Sequence, residues 1–477
     1  MAASAPYLLL LILIPLVGML FALTARDNDK TRGHNVLGVT ILAIAANIFI
    51  MLRAFLQIKP GYGRLQLSES YRWMENPQIN LSFGVDSFAL LLIIGVNLAV
   101  LIGLWGVRHD AYRQKPRMIF TLLFLSMVNG FLAAADIFSF FIFFEAMLLP
   151  LFMLVGMFGE VKKQGSVFRF MLYNLLGALL LLAAIMVLYN HYNGSIRLNE
   201  ISGIKMGKGS EVIVWSAIFI ALMSRIPIWP FHYWIASVNA MVKNPLVFII
   251  ANIIPLTGMY GFMRFWPKTV PDTVSYFIVV LEIISVISML FLALIGLINK
   301  DFQYKIFAFM TVYYIFYLLG VFLPTDQILL NVGFSVFSFL IIFAAIEVLT
   351  AYTAEQEESN GLASGGILCF MPRLSAVLTF MVLAAVGLPI SSMFVNNFVI
   401  MSGLLNYNLN MALIALSAMV LAAAAILQEL YRRKDEQNIT GDKGLALDIS
   451  KRDLILMSGV AAVLVLSFFN PLWFMNI

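Results

Sequence analysis

Apolar runs of roughly twenty residues, each closed by a short polar break, recur along nearly the whole chain. Runs of that length cross a hydrocarbon core of about 30 Å as helices, and they predict about fourteen spans. We place these near 6–24, 36–57, 84–106, 117–135, 137–158, 168–190, 211–235, 245–265, 273–298, 303–323, 329–352, 375–403, 409–430 and 454–475. The first run lacks a preceding basic region and is too long for a signal peptide, so it is expected to remain as a span. Residues 58–83 form a longer polar break, read as an outer loop whose Tyr71 and Trp73 suit a membrane interface.

The polar breaks set the orientation. Arg26, Lys30 and Arg32 follow span 1, Arg108, Arg113, Lys115 and Arg117 follow span 3, and Lys162 and Lys163 follow span 5. Arg432, Arg433, Lys434, Lys443, Lys451 and Arg452 follow span 13, whereas the joints after spans 4, 10 and 12 hold no Lys or Arg. Basic loops stay in the cytoplasm, so odd-numbered loops are expected inside and both termini outside.

Two spans are interrupted by proline: span 7 at SRIPIWPFHYW, with Pro227 and Pro230, and span 12 at AAVGLPISSMF, with Gly387 and Pro389. A proline inside a helix frees carbonyls that a neighbour or water must satisfy. Both breaks fall in the fourth span of a five-span unit, spans 4–8 and 9–13. The odd number of spans inverts the second unit relative to the first, as in inverted-repeat transporters. The expected architecture is an all-α polytopic membrane protein with two inverted five-helix repeats. Its divisions are an N-terminal three-helix segment (1–116), repeats at 117–265 and 266–430, and a loop with a last span at 431–477.

Composition supports that class and removes others. Hydrophobic residues make up 62% of the chain and charged residues 12%, with a mean hydropathy of +0.94, against about 25% charged in soluble domains. The net charge of +5 sits in short loops, so it reads as a topology signal and not as a nucleic-acid surface. A single cysteine, Cys369, excludes an internal disulfide and leaves too few thiols for an iron–sulfur or zinc site. Glycine clusters near 203–210 and at 364–367 read as turns, and no nucleotide loop or nucleophile–base pair is visible.

Candidate chemistry therefore lies at membrane depth. Glu145 stands in the middle of span 5, where a carboxylate is costly and persists mainly when it faces a polar interior and has a partner. Arg225, beside the break in span 7, is the expected partner. His232, in the same break, can relay a proton or donate to a freed carbonyl. Lys300, Asp301 and Lys305 are expected as a solvated charge cluster at the inner face, and Glu347 as an acid near a helix end that reaches the surface.

FFEAMLLPLFMLVGMFG, RIPIWPFHYW, MYGFMRF, MPRLSA and GLPISSMFVNNFVI, with GVD at 84–86, together resemble the subunit M / chain 4 family of respiratory complex I, within the multisubunit cation/proton antiporter-like superfamily. The resemblance implies an antiporter-like membrane-arm subunit of a proton-pumping NADH:quinone oxidoreductase in a bacterial inner membrane. It implies other membrane-arm subunits, lipid and protons as partners. Quinone, FMN and iron–sulfur clusters would belong to partner chains, with no redox centre in this one.

Glu145 matches the family's span 5 glutamate, and Arg225 falls where the family carries a lysine. The family's span 8 lysine falls on Leu256, its span 10 and 11 histidines on Tyr313 and Phe339, and its span 12 acid on Asn397. ASVN, from Ala236 to Asn239, replaces PDAH. These departures remove titratable groups, and a guanidinium effectively never gives up its proton. His232, Lys305, Tyr313 and Asn397 remain as relay candidates; Asn252, Thr257, Ser335, Ser338 and Asn396 can order water. The resemblance thus implies a complex I subunit whose own channel is impaired. A non-transporting structural paralogue and a subunit of a cation/proton antiporter or membrane-bound hydrogenase stand as alternatives.

Overall fold

A computed structural model describes residues 6–25, 34–58, 65–75, 79–110, 112–159, 164–192, 197–198, 206–239, 242–265, 276–323, 325–359, 367–434 and 448–469. Arg26, Lys30, Arg32, Lys162, Lys163, Lys443 and the turns at 203–205 and 364–366 lie outside them.

The chain is a helical bundle. Its helices are α1 (Tyr7–Thr24), α2 (His34–Phe55), α3 (Ser87–Gly106), α4 (Gln114–Ala133), α5 (Ile137–Ala146), α6 (Leu148–Phe158), α7 (Gln164–Tyr192), α8 (Lys208–Met223) and α9 (Tyr233–Asn239). They continue as α10 (Pro245–Ala251), α11 (Ile254–Phe265), α12 (Tyr276–Ile298), α13 (Phe302–Val321), α14 (Asp326–Ser359), α15 (Pro372–Val386), α16 (Ser392–Tyr407), α17 (Leu409–Lys434) and α18 (Lys451–Phe469). Among the described residues, 11 helical stretches are long and apolar enough to cross a membrane. Spans 7 and 12 are each split in two, as the prolines predict: α8 and α9 flank residues 224–232, and α15 and α16 flank residues 387–391.

The break at 387–391 is built by Gly387. Its φ of +104° is a left-handed conformation that costs an L side chain about 1–2 kcal/mol. There Gly387 N–H donates to Leu383 and Ala384 carbonyls and Leu388 N–H reaches back to Leu383 O at 2.9 Å, closing the helix end. Tyr313 OH donates to Val386 O at 3.2 Å and Ser391 Oγ to Leu388 O at 2.8 Å. In the break at 224–232 the freed Ser224 carbonyl accepts from Trp234 Nε1 at 3.0 Å, and Trp229 N–H donates to Ser288 Oγ at 2.9 Å. Residue 258 must be small there: a Cβ at Gly258 would stand 2.7 Å from Leu222 O and 2.9 Å from Arg225 Cβ.

The long polar break is not a plain loop. It forms an antiparallel hairpin of β1 (Gln66–Met74) and β2 (Ile79–Val85), which defines one end of the bundle. Glu69 accepts from Leu8 and Leu9 N–H at 2.8 and 3.0 Å, placing an anion on the orphan donors at the start of α1. Burial and the adjacent Glu69 carboxylate hold the Tyr71 phenol above its ordinary range. Asp136 caps α5 through Phe138 and Ser139 N–H and also accepts from Ser82 N–H at 2.7 Å, fastening β2 to the span that carries Glu145.

Candidate functional site

Glu145 and Arg225 are brought together. Arg225 is fully buried where α8 ends, and its Nη2 lies 3.9 Å from Glu145 Oε2. The same nitrogen donates to Phe144 O at 2.7 Å, and the guanidinium sits 3.9 Å above the Phe144 ring. Glu145 itself is 34% exposed. Neither Glu145 Oε2 nor Arg225 Nε and Nη1 has a hydrogen-bond partner among the described residues. The pair is therefore an electrostatic contact without a direct hydrogen bond, so Glu145 can move relative to Arg225 without breaking a bond between them, while Arg225 is held in place by Phe144.

His232 is half-buried in the same break, edge-on to Phe291 at 5.9 Å, and its Nδ1 has no hydrogen-bond partner among the described residues. Trp234 takes the Ser224 carbonyl, a task sequence reading offered to His232.

The second half differs more from expectation. Lys305 does not join a solvated cluster: it is buried, with Nζ 3.5 Å from Glu429 Oε2, while Lys300 is exposed and Asp301 caps α13 through Gln303 N–H. Glu429 was not singled out from sequence. It also accepts from Arg432 at 2.6 Å and from Arg433 at 3.4 Å, and Arg433 reaches Thr353 and Glu357. The signal was the i, i+3, i+4 spacing of Glu429, Arg432 and Arg433 at the end of a span, since α17 runs on to Lys434. Lys305 is buried because its helix begins at Phe302 and turns that face onto α17.

Glu347 also lies away from its expected place at the surface. It is 1% exposed and cannot reach the surface, because α14 continues three more turns to Ser359. Its Oε2 has no hydrogen-bond partner among the described residues.

Tyr313 stacks on Phe339 at 5.5 Å and 12°, with its hydroxyl committed to Val386 O. Asn397 accepts from Ser335 Oγ at 3.5 Å, and Ser338 faces Ser392 at 3.0 Å. Asn252 and Asn239 exchange two amide hydrogen bonds, and Thr257 bonds Ile254 O within its own turn. Leu256 and Phe339 are buried, so the middle of the bundle is lined by aromatic and small polar groups.

A further ion pair joins two motifs that the sequence shows far apart. Arg264 binds Asp86 through both terminal nitrogens, at 2.8 and 2.9 Å, and its Nε donates to Tyr260 OH at 2.7 Å. Tyr260 OH donates to Leu132 O at 2.6 Å, and Asp86 also caps α3 through Ala89 N–H. The network locks α3, α4 and α11 together beside the hairpin.

The comparisons with known proteins bear on all of this. A family described as NADH:quinone oxidoreductase/Mrp antiporter, transmembrane, matches residues 134–422, which is well over half of the chain. NADH-ubiquinone oxidoreductase chain 4 of Marchantia polymorpha is 26% identical over 94% of this chain and 90% of its own length. NADH-quinone oxidoreductase subunit M of Mycobacterium tuberculosis strain H37Rv is 25% identical over 97% and 90%. A chain of respiratory complex I from Thermus thermophilus with bound NADH superposes with a TM-score of 0.85 at 20% identity, covering 98% of this chain and 96% of that one. A chain of the Mrp complex from Dietzia sp. DQ12-45-1b gives 0.78 at 15% identity, covering 97% of this chain and 49% of that one. These two structural likenesses speak to the fold.

Proposed function

This chain belongs to the NADH:quinone oxidoreductase/Mrp antiporter transmembrane family, and from that premise we propose that it is an antiporter-like membrane-arm subunit of a proton-pumping NADH:quinone oxidoreductase. Full-length similarity to chain 4 and subunit M supports the assignment. Flavin, iron–sulfur clusters and quinone belong to partner subunits, and the chain's own part is charge movement. The end of the bundle with Arg108, Arg117, Arg432 and Arg433 is cytoplasmic by the charge of its loops, which puts the hairpin outside. Residues 117–265 and 266–430 are inverted repeats, each with its fourth span broken.

The observation that carries the mechanism is the Glu145–Arg225 contact at 3.9 Å. At an effective dielectric near 20, opposite charges about 4 Å apart attract by about 4 kcal/mol. Opening or closing that contact changes the field felt by neighbouring charges, so it couples this chain to the next without Arg225 ever losing its proton. A second reading, a non-transporting structural paralogue, is favoured by Leu256 and Phe339, buried apolar groups where relatives of this type carry titratable ones by the sequence reading.

Affinity purification of the tagged chain from native membranes tests the assignment. Co-purification of NADH-oxidising, flavin- and iron–sulfur-containing subunits is expected. Recovery with small antiporter subunits and no flavin would refute it.

A further inference from the structure

Glu347 is a carboxyl without a use in the mechanism above. It is 1% exposed, and Oε2 finds no hydrogen-bond donor among the described residues. One turn before it, Phe343 packs on Phe248 of α10 at 5.9 Å. One residue after it, Val348 lies where a Cβ on Gly106 of α3 would stand 2.9 Å away. The phase of α14 therefore turns Glu347 toward the seam between α10 and α3.

The charged groups of the surrounding helices are committed elsewhere or lie beyond their ends. α10, PLVFIIA, and α16 contain none. Lys305 on α13 is bound to Glu429, and Arg108, past the end of α3, is bound to Asp453 of α18. Lys451 and Arg452 of α18 are exposed, as is Arg373 at the start of α15, whose backbone N–H is held by Asp448. An ionised carboxylate left dry and unpaired costs far more than the neutral acid, which needs only its own proton.

Its depth is also telling. α13 and α14 run antiparallel from a short connection, and Tyr313 stacks on Phe339. Lys305 precedes Tyr313 by eight residues and Glu347 follows Phe339 by eight. Each thus lies about 12 Å from the stack toward the basic-loop end, at 1.5 Å per helical residue. Both rings of the stack are buried in the middle of the bundle, and Glu347 stands on its cytoplasmic side in the proposed orientation.

We propose that Glu347 is a proton-binding residue of this chain, the carrier of its second half on the basic-loop side. The carrier role rests on the proposed proton-pumping assignment; the binding itself does not. Infrared difference spectra between acid and alkaline pH, recorded on the native membrane assembly, read the binding directly. A carboxylic-acid carbonyl band is expected that is lost in Glu347→Gln and displaced in Glu347→Asp. An unchanged spectrum in Glu347→Gln would overturn the proposal whatever assembly the chain belongs to.

The proton-to-electron ratio reads the role. Glu347→Met fills the same apolar seam without a titratable group. If it assembles, retains NADH:quinone electron transfer and pumps fewer protons, the proposal stands. If it pumps at the native ratio, Glu347 is not a carrier. Should Glu347→Gln fail to assemble, Glu347→Met supplies the infrared comparison as well.

Discussion

Asp86→Asn separates the charge of the Asp86–Arg264 pair from its capping role. Asparagine caps a helix about as well as aspartate, so the bond from Ala89 N–H to the side chain is retained. What is lost is the anion facing Arg264, whose two terminal nitrogens lie 2.8 and 2.9 Å from Asp86. Both side chains are buried, at 7% and 0% exposure, so solvent does not soften the change. Removing one partner of such a pair costs about 3–5 kcal/mol, whereas replacing both with apolar groups is often near neutral. Asp86→Asn should therefore destabilise by about 3–5 kcal/mol. Asp86→Asn with Arg264→Met should recover part of that, leaving about 1–3 kcal/mol for the buried amide now facing an apolar side chain and the hydrogen bond lost at Tyr260. Unfolding of the purified chain in mixed micelles by sodium dodecyl sulfate, followed by tryptophan fluorescence, gives both values. A single variant within about 1 kcal/mol of native, or a double variant no better than the single, would mean that Asp86 and Arg264 do not stabilise the bundle as a buried ion pair.

The same assay reads four further variants. Trp234→Phe leaves the Ser224 carbonyl unsatisfied in the span 7 break and should cost about 1–3 kcal/mol. Gly387→Ala puts a Cβ on a residue at φ +104°, and a loss of about 1–2 kcal/mol is expected; no loss would mean that the break relaxes. Glu429→Gln strands buried Lys305, while Arg433 keeps Glu357 and Thr353, and should cost about 3–5 kcal/mol, whereas Lys305→Met, which leaves Glu429 bound to two arginines, should cost much less. Equal losses for those two would show that Lys305 is the main partner.

Hydropathy marked apolar crossings, 11 of which stand as long apolar helices among the described residues, because lipid forces each helix to be apolar over its crossing length. Proline placed both breaks, since ring geometry acts locally and independently of packing. The hairpin escaped because QLSESYRWM carries enough polar residues to read as a loop, and its strand pairing depends on β2. Glu347 was misplaced because the end of α14 is the polar stretch AYTAEQEES, which continues the helix after hydropathy has fallen. Depth depends on where a helix ends, and hydropathy marks only where its apolar part ends. Glu145 and Arg225 could be matched because each is costly at membrane depth, so each demands the other. Asp86 and Arg264, 178 residues apart, were visible only as motifs, and Lys305 and Glu429 only as separate charges. Their pairing is set by packing of α3 and α11 on the shared neighbour α4 and of α13 on α17.

Glu145 and Arg225 couple this chain to proton pumping, in the proposed mechanism, although the usual titratable axis is missing. The proton-to-electron ratio of the intact assembly in sealed membrane vesicles, native against Glu145→Gln, tests it most directly. A lowered ratio with normal assembly is predicted. An unchanged ratio with normal assembly would contradict the claim and make the chain a passive scaffold.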